Sequence, residues 1–197
     1  MKQPSPLPFP VGSSWAVVLA VPIAAYLLGA FARPTPLGGF PQKDRMIAAN
    51  DAVHRERPAA KAQLDALLGG AIRVIGSDVP DVPLSRGSRL TTRFFFSCEK
   101  PLDRDWQIFV HVDARGTSYR LHGDHFPARG KAPTTAWQPG TFIVDTWERA
   151  IPMDMPAGSY DIWLGFYIGN ERLPFSGGDS RLHDGDNRIR VGTLTIE

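Results

Sequence analysis

From Ala71 onward the chain alternates apolar and polar positions with a period of two. In "LTTRFFFSC", Leu90, Thr92, Phe94, Phe96 and Cys98 share one side. In "WQIFVHVD", Trp106, Ile108, Val110 and Val112 oppose Gln107, Phe109, His111 and Asp113. In "YDIWLGFYI", Tyr160, Ile162, Leu164, Phe166 and Ile168 line up the same way. Successive strand side chains point to opposite faces of a sheet, so each run predicts a half-buried strand. "AIRVIG", "TSYRLHG", "TFIVDTWER", "ERLPF" and "NRIRVGTLTI" are further strand candidates. In the last of these the apolar phase flips between Val191 and Leu194, which predicts a β-bulge near Gly192.

The segments between these runs carry turn chemistry. "DARG" (Asp113–Gly116) and "IGNE" (Ile168–Glu171) predict hairpins. "QPG" at Gln138–Gly140 and "MPAG" at Met155–Gly158 place Pro ahead of Gly, as tight turns do. Seven or eight strands with almost no helix predict a mainly β fold, an antiparallel β-sandwich of Ig-like or jelly-roll type, over residues 71–197. Its expected core is Phe94, Trp106, Ile108, Val110, Ile162, Leu164 and Phe166.

The first seventy residues follow a different pattern. Residues 1–10 read as a tail. Val11–Phe31, "VGSSWAVVLAVPIAAYLLGAF", holds no charge and is long enough for a transmembrane helix, so 11–32 is the expected anchor. A rival is a cleaved signal peptide ending at Ala30-Phe31-Ala32. Arg33, Lys43 and Arg45 follow the span, and the positive-inside rule would keep that side cytoplasmic. Long domains translocate regardless of such charges, and the expectation adopted is a single-pass inner-membrane protein with its C-terminal domain in the periplasm. Residues 33–43 are Pro- and Gly-rich and predict a linker. Residues 44–70 predict a helical stalk: Leu64, Leu67 and Leu68 have helical spacing, and Gly69-Gly70 would stop the helix.

Composition narrows the function classes. A net charge of +2 with scattered basic residues points away from nucleic acid. The single cysteine, Cys98, excludes an intrachain disulfide and a Cys-rich metal site, and its apolar run predicts a buried inert thiol.

"LDRDWQIFVHVDARG", "GDHFPARGKAPTTAWQPGTFIVDTW" and "IPMDMPAGSYDIWLGFYIGNERL" resemble a bacterial periplasmic β-sandwich module. Such modules close the C-termini of lipid-linked-sugar glycosyltransferases of the dolichyl-phosphate-mannose-type class. Trp137, Pro139 and Gly140, then Asp145, then Pro156, Ala157, Gly158 and Tyr160 carry the likeness, which covers Leu90 to Leu194. The resemblance implies a non-catalytic accessory or binding domain. The many-span catalytic part of those enzymes has no counterpart in this sequence, so no transferase activity is implied.

Candidate chemistry concentrates in "HGDHFP". His122, Asp124 and His125 offer three metal donors, and His111 or Asp113 would join from a neighbouring strand. His-x-x-His at a strand end matches no metal signature, so the stretch reads first as a polar strand end and turn, with no metal or cofactor. Trp163 and Tyr167, with Gly165 between them, lie opposite the core side of their strand and form a candidate sugar platform, with Trp147 and Phe109 on similar outer faces. "SGGDSRLHDGDN" (Ser176–Asn187) is an oxygen-rich loop without EF-hand spacing. No paired-carboxylate, nucleophile-elbow or phosphate-loop motif occurs, so a non-enzyme is expected. The leading expectation is a non-catalytic accessory or scaffold subunit of a membrane complex. The alternatives are a module binding envelope glycans or lipid-linked sugars and, more weakly, a metal-dependent hydrolase.

Overall fold

The computed structural model describes residues 51–197. The expected tail, anchor, linker and first part of the stalk lie outside the described residues. Within the described residues no helix is long and apolar enough to cross a membrane.

The strands are β1 (Val53–His54), β2 (Ala62–Leu68), β3 (Ile72–Asp78), β4 (Arg89–Cys98), β5 (Gln107–Ala114), β6 (Arg120–His122), β7 (Phe142–Ala150), β8 (Gly158–Ile168), β9 (Glu171–Arg172), β10 (Phe175–Gly178) and β11 (Ile189–Ile196). One sheet has the order β1-β7-β4-β3-β2-β10, and the other has β11-β8-β5-β6 with β9 paired to β8. Every ladder within the sheets is antiparallel. The two sheets share one core, which makes the fold a β-sandwich. Phe96 of the first sheet meets Phe166 of the second edge-on, with ring centroids 5.2 Å apart, and Trp137 stacks on Phe96 at 5.8 Å.

The alternation reads through correctly in the long strands. All seven expected core residues are buried, each contributing about 1.5–3 kcal/mol where the side chain is a large apolar one. The β11 ladder shifts register between Arg190 and Gly192, the bulge that the phase flip predicted. It lets Ile189, Val191, Leu194 and Ile196 all face inward.

The helical stalk is corrected where it is described. Ala62–Leu68 is strand β2, in which Leu64, Ala66 and Leu68 turn toward the core while Gln63, Asp65 and Leu67 turn outward. Leu64, Leu67 and Leu68 satisfy a helical period and a strand period alike, and pairing with β3 decides between them. Gly69 and Gly70 do not end a helix. Both have positive φ, +58° and +63°, and Ala71 N donates to Leu68 O at 3.0 Å. That is a type I′ hairpin turn, which needs φ > 0 at both central residues. The sandwich therefore begins before Ala71.

The residues that carry the module resemblance are structural. Trp137 is buried and its indole N–H donates to Ala132 O at 2.9 Å. The Tyr160 hydroxyl donates to Pro156 O at 2.5 Å, tying strand β8 to the turn before it. Asp145 is fully buried.

Candidate functional site

The outward face of the second sheet is set by the same alternation. β5 presents Phe109, His111 and Asp113, and β8 presents Asp161, Trp163, Gly165 and Tyr167. The β5–β6 hairpin pairs Asp113 with Arg120 and His111 with His122. The ladder continues past β6: Gly123 N donates to Val110 O at 2.8 Å, and His125 and Ile108 exchange backbone bonds at 2.8 and 2.9 Å. His122 and Asp124 thus stay on the outward face, two residues apart, while Gly123 faces inward. A Cβ on Gly123 would collide with the Trp147 indole, so glycine is required there.

This places the six sequence candidates. His111, His122 and Asp124 come together, with one donor atom from each lying within 4.8 Å of the others. They are the one such group among the described residues. His111 is 6% exposed, and its Nδ1 is buried with no hydrogen-bond partner. Burial, helped by the Arg120 charge, pushes its imidazole down to about 4, so it is neutral at physiological pH. His122 packs edge-on against it, ring centroids 5.0 Å apart. Tyr167 stands beside them, its hydroxyl 3.3 Å from Asp124 Oδ2 and 3.1 Å from Gln107 Oε1.

His125 is not part of this group. Its Nδ1 lies 2.8 Å from Gly123 O and its Nε2 lies 2.8 Å from Asp145 Oδ2. Both partners offer acceptor oxygens, an arrangement that favours the doubly protonated ring, which donates from both nitrogens. Burial works against that charge, but the Asp145 bond and charge, with the Gly123 carbonyl, raise its pKa above the ordinary imidazole value. Asp145 Oδ1 also accepts from Ala128 N at 2.7 Å, bracing a loop in which Ala128 and Arg129 both have positive φ.

The aromatic platform is rearranged. Trp147 faces the core, not the outside, because it falls on the same side of β7 as Ile143 and Asp145. Phe109 does face outward, but its ring lies across Gly165, where a Cβ would strike it, and the Arg172 guanidinium sits 4.8 Å above it. Arg188 covers Trp163 at 4.9 Å and bonds Asp113 at 2.8 Å and Asp184 at 2.5 Å. Burial opposes the charge of Asp113, but Arg120 and Arg188 outweigh it and hold the carboxyl below its usual range. Asp113 is therefore committed to arginines rather than to the histidines.

What stays open is a pocket of about 380 Å³ lined by Phe109, His111, Asp124, Tyr167, Asn170 and Arg172. Asn170 and Arg172 were not foreseen; the "IGNE" hairpin that delivers them was. A depression of about 410 Å³ beside Val79, Val82 and Gly192 has no imidazole, and its Lys61 and Asp81 pair with each other at 3.9 Å. In the Ser176–Asn187 loop, Asp179 bonds Arg181, Asp184 bonds Arg188, and Asn187 Oδ1 accepts from Phe175 N, so these oxygens turn to local partners instead of a common centre. Cys98 is buried, with its thiol pushed up to about 11 by burial and by Glu99.

No family model matches the chain, and no curated protein matches it. Among solved structures, the chain is similar to a Niemann-Pick type C2 protein from Japanese carpenter ant, at 11% identity and a TM-score of 0.36, over 72% of this chain and 99% of that one.

Proposed function

We propose that this protein is a non-catalytic accessory module, held at a membrane by residues 11–32, that binds an envelope glycan or lipid-linked sugar on the outer face of its second sheet. The pocket between Tyr167, Asp124, Asn170 and Arg172 carries this reading. Sugar hydroxyls both donate and accept. A carboxylate, an amide and a guanidinium around one concavity, with aromatic side chains at its wall, meet both needs. The resemblance of Leu90–Leu194 to modules on lipid-linked-sugar enzymes, and the periplasmic placement expected from it, agree with such a ligand. The absence of a nucleophile motif in the sequence and the commitment of His125 and Asp113 to structural pairs favour binding over turnover.

The test uses the full chain in mild detergent on immobilised envelope glycans and polyprenyl-linked sugars. Asp124→Asn removes a charged acceptor, and retention should fall roughly ten- to a hundredfold. Wild-type protein that retains no sugar, yet co-purifies with membrane subunits in fixed proportion, would replace this reading with a scaffold role alone.

A further inference from the structure

We propose that His111, His122 and Asp124 together bind one divalent transition-metal ion of the zinc class, with its remaining coordination positions open to the adjoining pocket. The inference rests on the glycan reading for the ligand that would fill those positions, and on the three donors alone for the ion.

The donor set is two imidazoles and a carboxylate on one sheet face. Nitrogen donors select zinc-like ions over calcium or magnesium, which take oxygen ligands. Three protein ligands with a free position is the arrangement of an open zinc site, not a closed structural one. A tetrahedral ion with bonds of about 2.1 Å sets its ligands about 3.4 Å apart, and donors already within 4.8 Å need only small side-chain rotations.

The placement is built by backbone rather than by loops. His111 and His122 are direct cross-strand partners, and Asp124 is fixed by the bonds on either side of it, Gly123 N to Val110 O and His125 N to Ile108 O. Sites on paired strands hold their geometry better than sites on loops. A second, independent observation concerns His111 itself: a nitrogen of a side chain that is 6% exposed has no partner at all. Buried polar atoms are nearly always bonded, and an exception calls for a reason. His183 Nε2 is also unpartnered, but its ring is stacked flat on Phe175 at 4.7 Å with no other donor grouped around it. Tyr167 completes the site as an outer-shell group, its hydroxyl steering the Asp124 carboxylate. Arg120, whose charge reaches His111, is paired with Asp113, which reduces its repulsion of a cation.

The experiment uses the full-length protein in detergent, stripped with EDTA and desalted. Zn²⁺ is titrated by calorimetry, and Co²⁺ is titrated separately through its d–d absorption. The expected result is one ion per chain with micromolar or tighter affinity and a low-symmetry cobalt spectrum. His122→Gln and Asp124→Asn, both at exposed positions, should each weaken binding more than about a hundredfold, and Tyr167→Phe about tenfold, within the range of outer-shell changes. His183→Gln should bind like wild type. Absence of saturable one-to-one binding by the wild type would overturn the proposal, as would affinities unchanged in His122→Gln and Asp124→Asn. Metal binding without glycan retention keeps the ion and removes the sugar reading. Glycan retention by a wild type that shows no saturable Zn²⁺ or Co²⁺ binding on titration does the reverse.

Discussion

His111, buried, and His125, half-buried, lie in the same β5 neighbourhood, and they have opposite chemistry. His125 bridges a carbonyl and the Asp145 carboxylate, which raise its pKa and give it a structural role. His111 faces Phe109, His122 and Trp163, has no partner on Nδ1, and is neutral. The difference comes from strand alternation. In "HGDHFP" the outward residues His122 and Asp124 reach His111, while His125 turns inward to Asp145. A carboxylate partner makes such a histidine a clamp; without one it keeps a lone pair available. The expected turn at Asp124 is instead a continuation of the ladder through His125, and the stretch divides its side chains residue by residue between the outward His111 group and the inward Asp145 pair.

The harshest way to break this contrast is Asp145→Ala. It leaves the His125 Nε2 and the Ala128 N–H without their shared partner, and chemical denaturation should show a loss of about 2–5 kcal/mol. His111→Gln should leave the clamp intact and cost far less.

The pH profile in chelator separates the two rings. His111 has a folded pKa of about 4, below its unfolded value, so the unfolded chain binds its proton first as pH falls. Stability should therefore decline from about pH 6.5 toward 4, by at most about 3 kcal/mol, and His111→Gln should flatten that limb. His125 has a raised folded pKa, so its contribution is fully present below about pH 6.5 and is lost as pH rises through the raised value. Asp145→Asn should flatten only this alkaline limb.

Gly123→Ala tests the backbone that divides the two faces. A methyl group driven toward Trp147 should cost about 1–3 kcal/mol in denaturation, and it should weaken whatever Asp124 binds. The smallest effect is expected at Cys98. With its thiol near 11 and buried, it should react negligibly with a thiol reagent at pH 8 until denaturant is added.

Strands β4, β5 and β8 were legible because their apolar residues fit one period only. Strand β2 was not, since Leu64, Leu67 and Leu68 fit two periods and the choice lay with β3. His111, His122 and Asp124 were each recognised from residue type. Their union with the exclusion of His125 required the hairpin register, which pairing Asp113 with Arg120 would have supplied. The covering of Trp163 by Arg188 had no local signal, because the two residues meet across the β8–β11 edge, far apart in sequence.

The most direct test is a long-range ¹H–¹⁵N spectrum of the five imidazoles at neutral pH, recorded in chelator and again with one equivalent of Zn²⁺. The account predicts that His125 shows two protonated nitrogens in both spectra, that His111 is neutral in chelator, and that zinc shifts one nitrogen each of His111 and His122 while His54, His125 and His183 stay in place. A His111 already charged in chelator, or zinc shifts that bypass the His111–His122 pair, would contradict it.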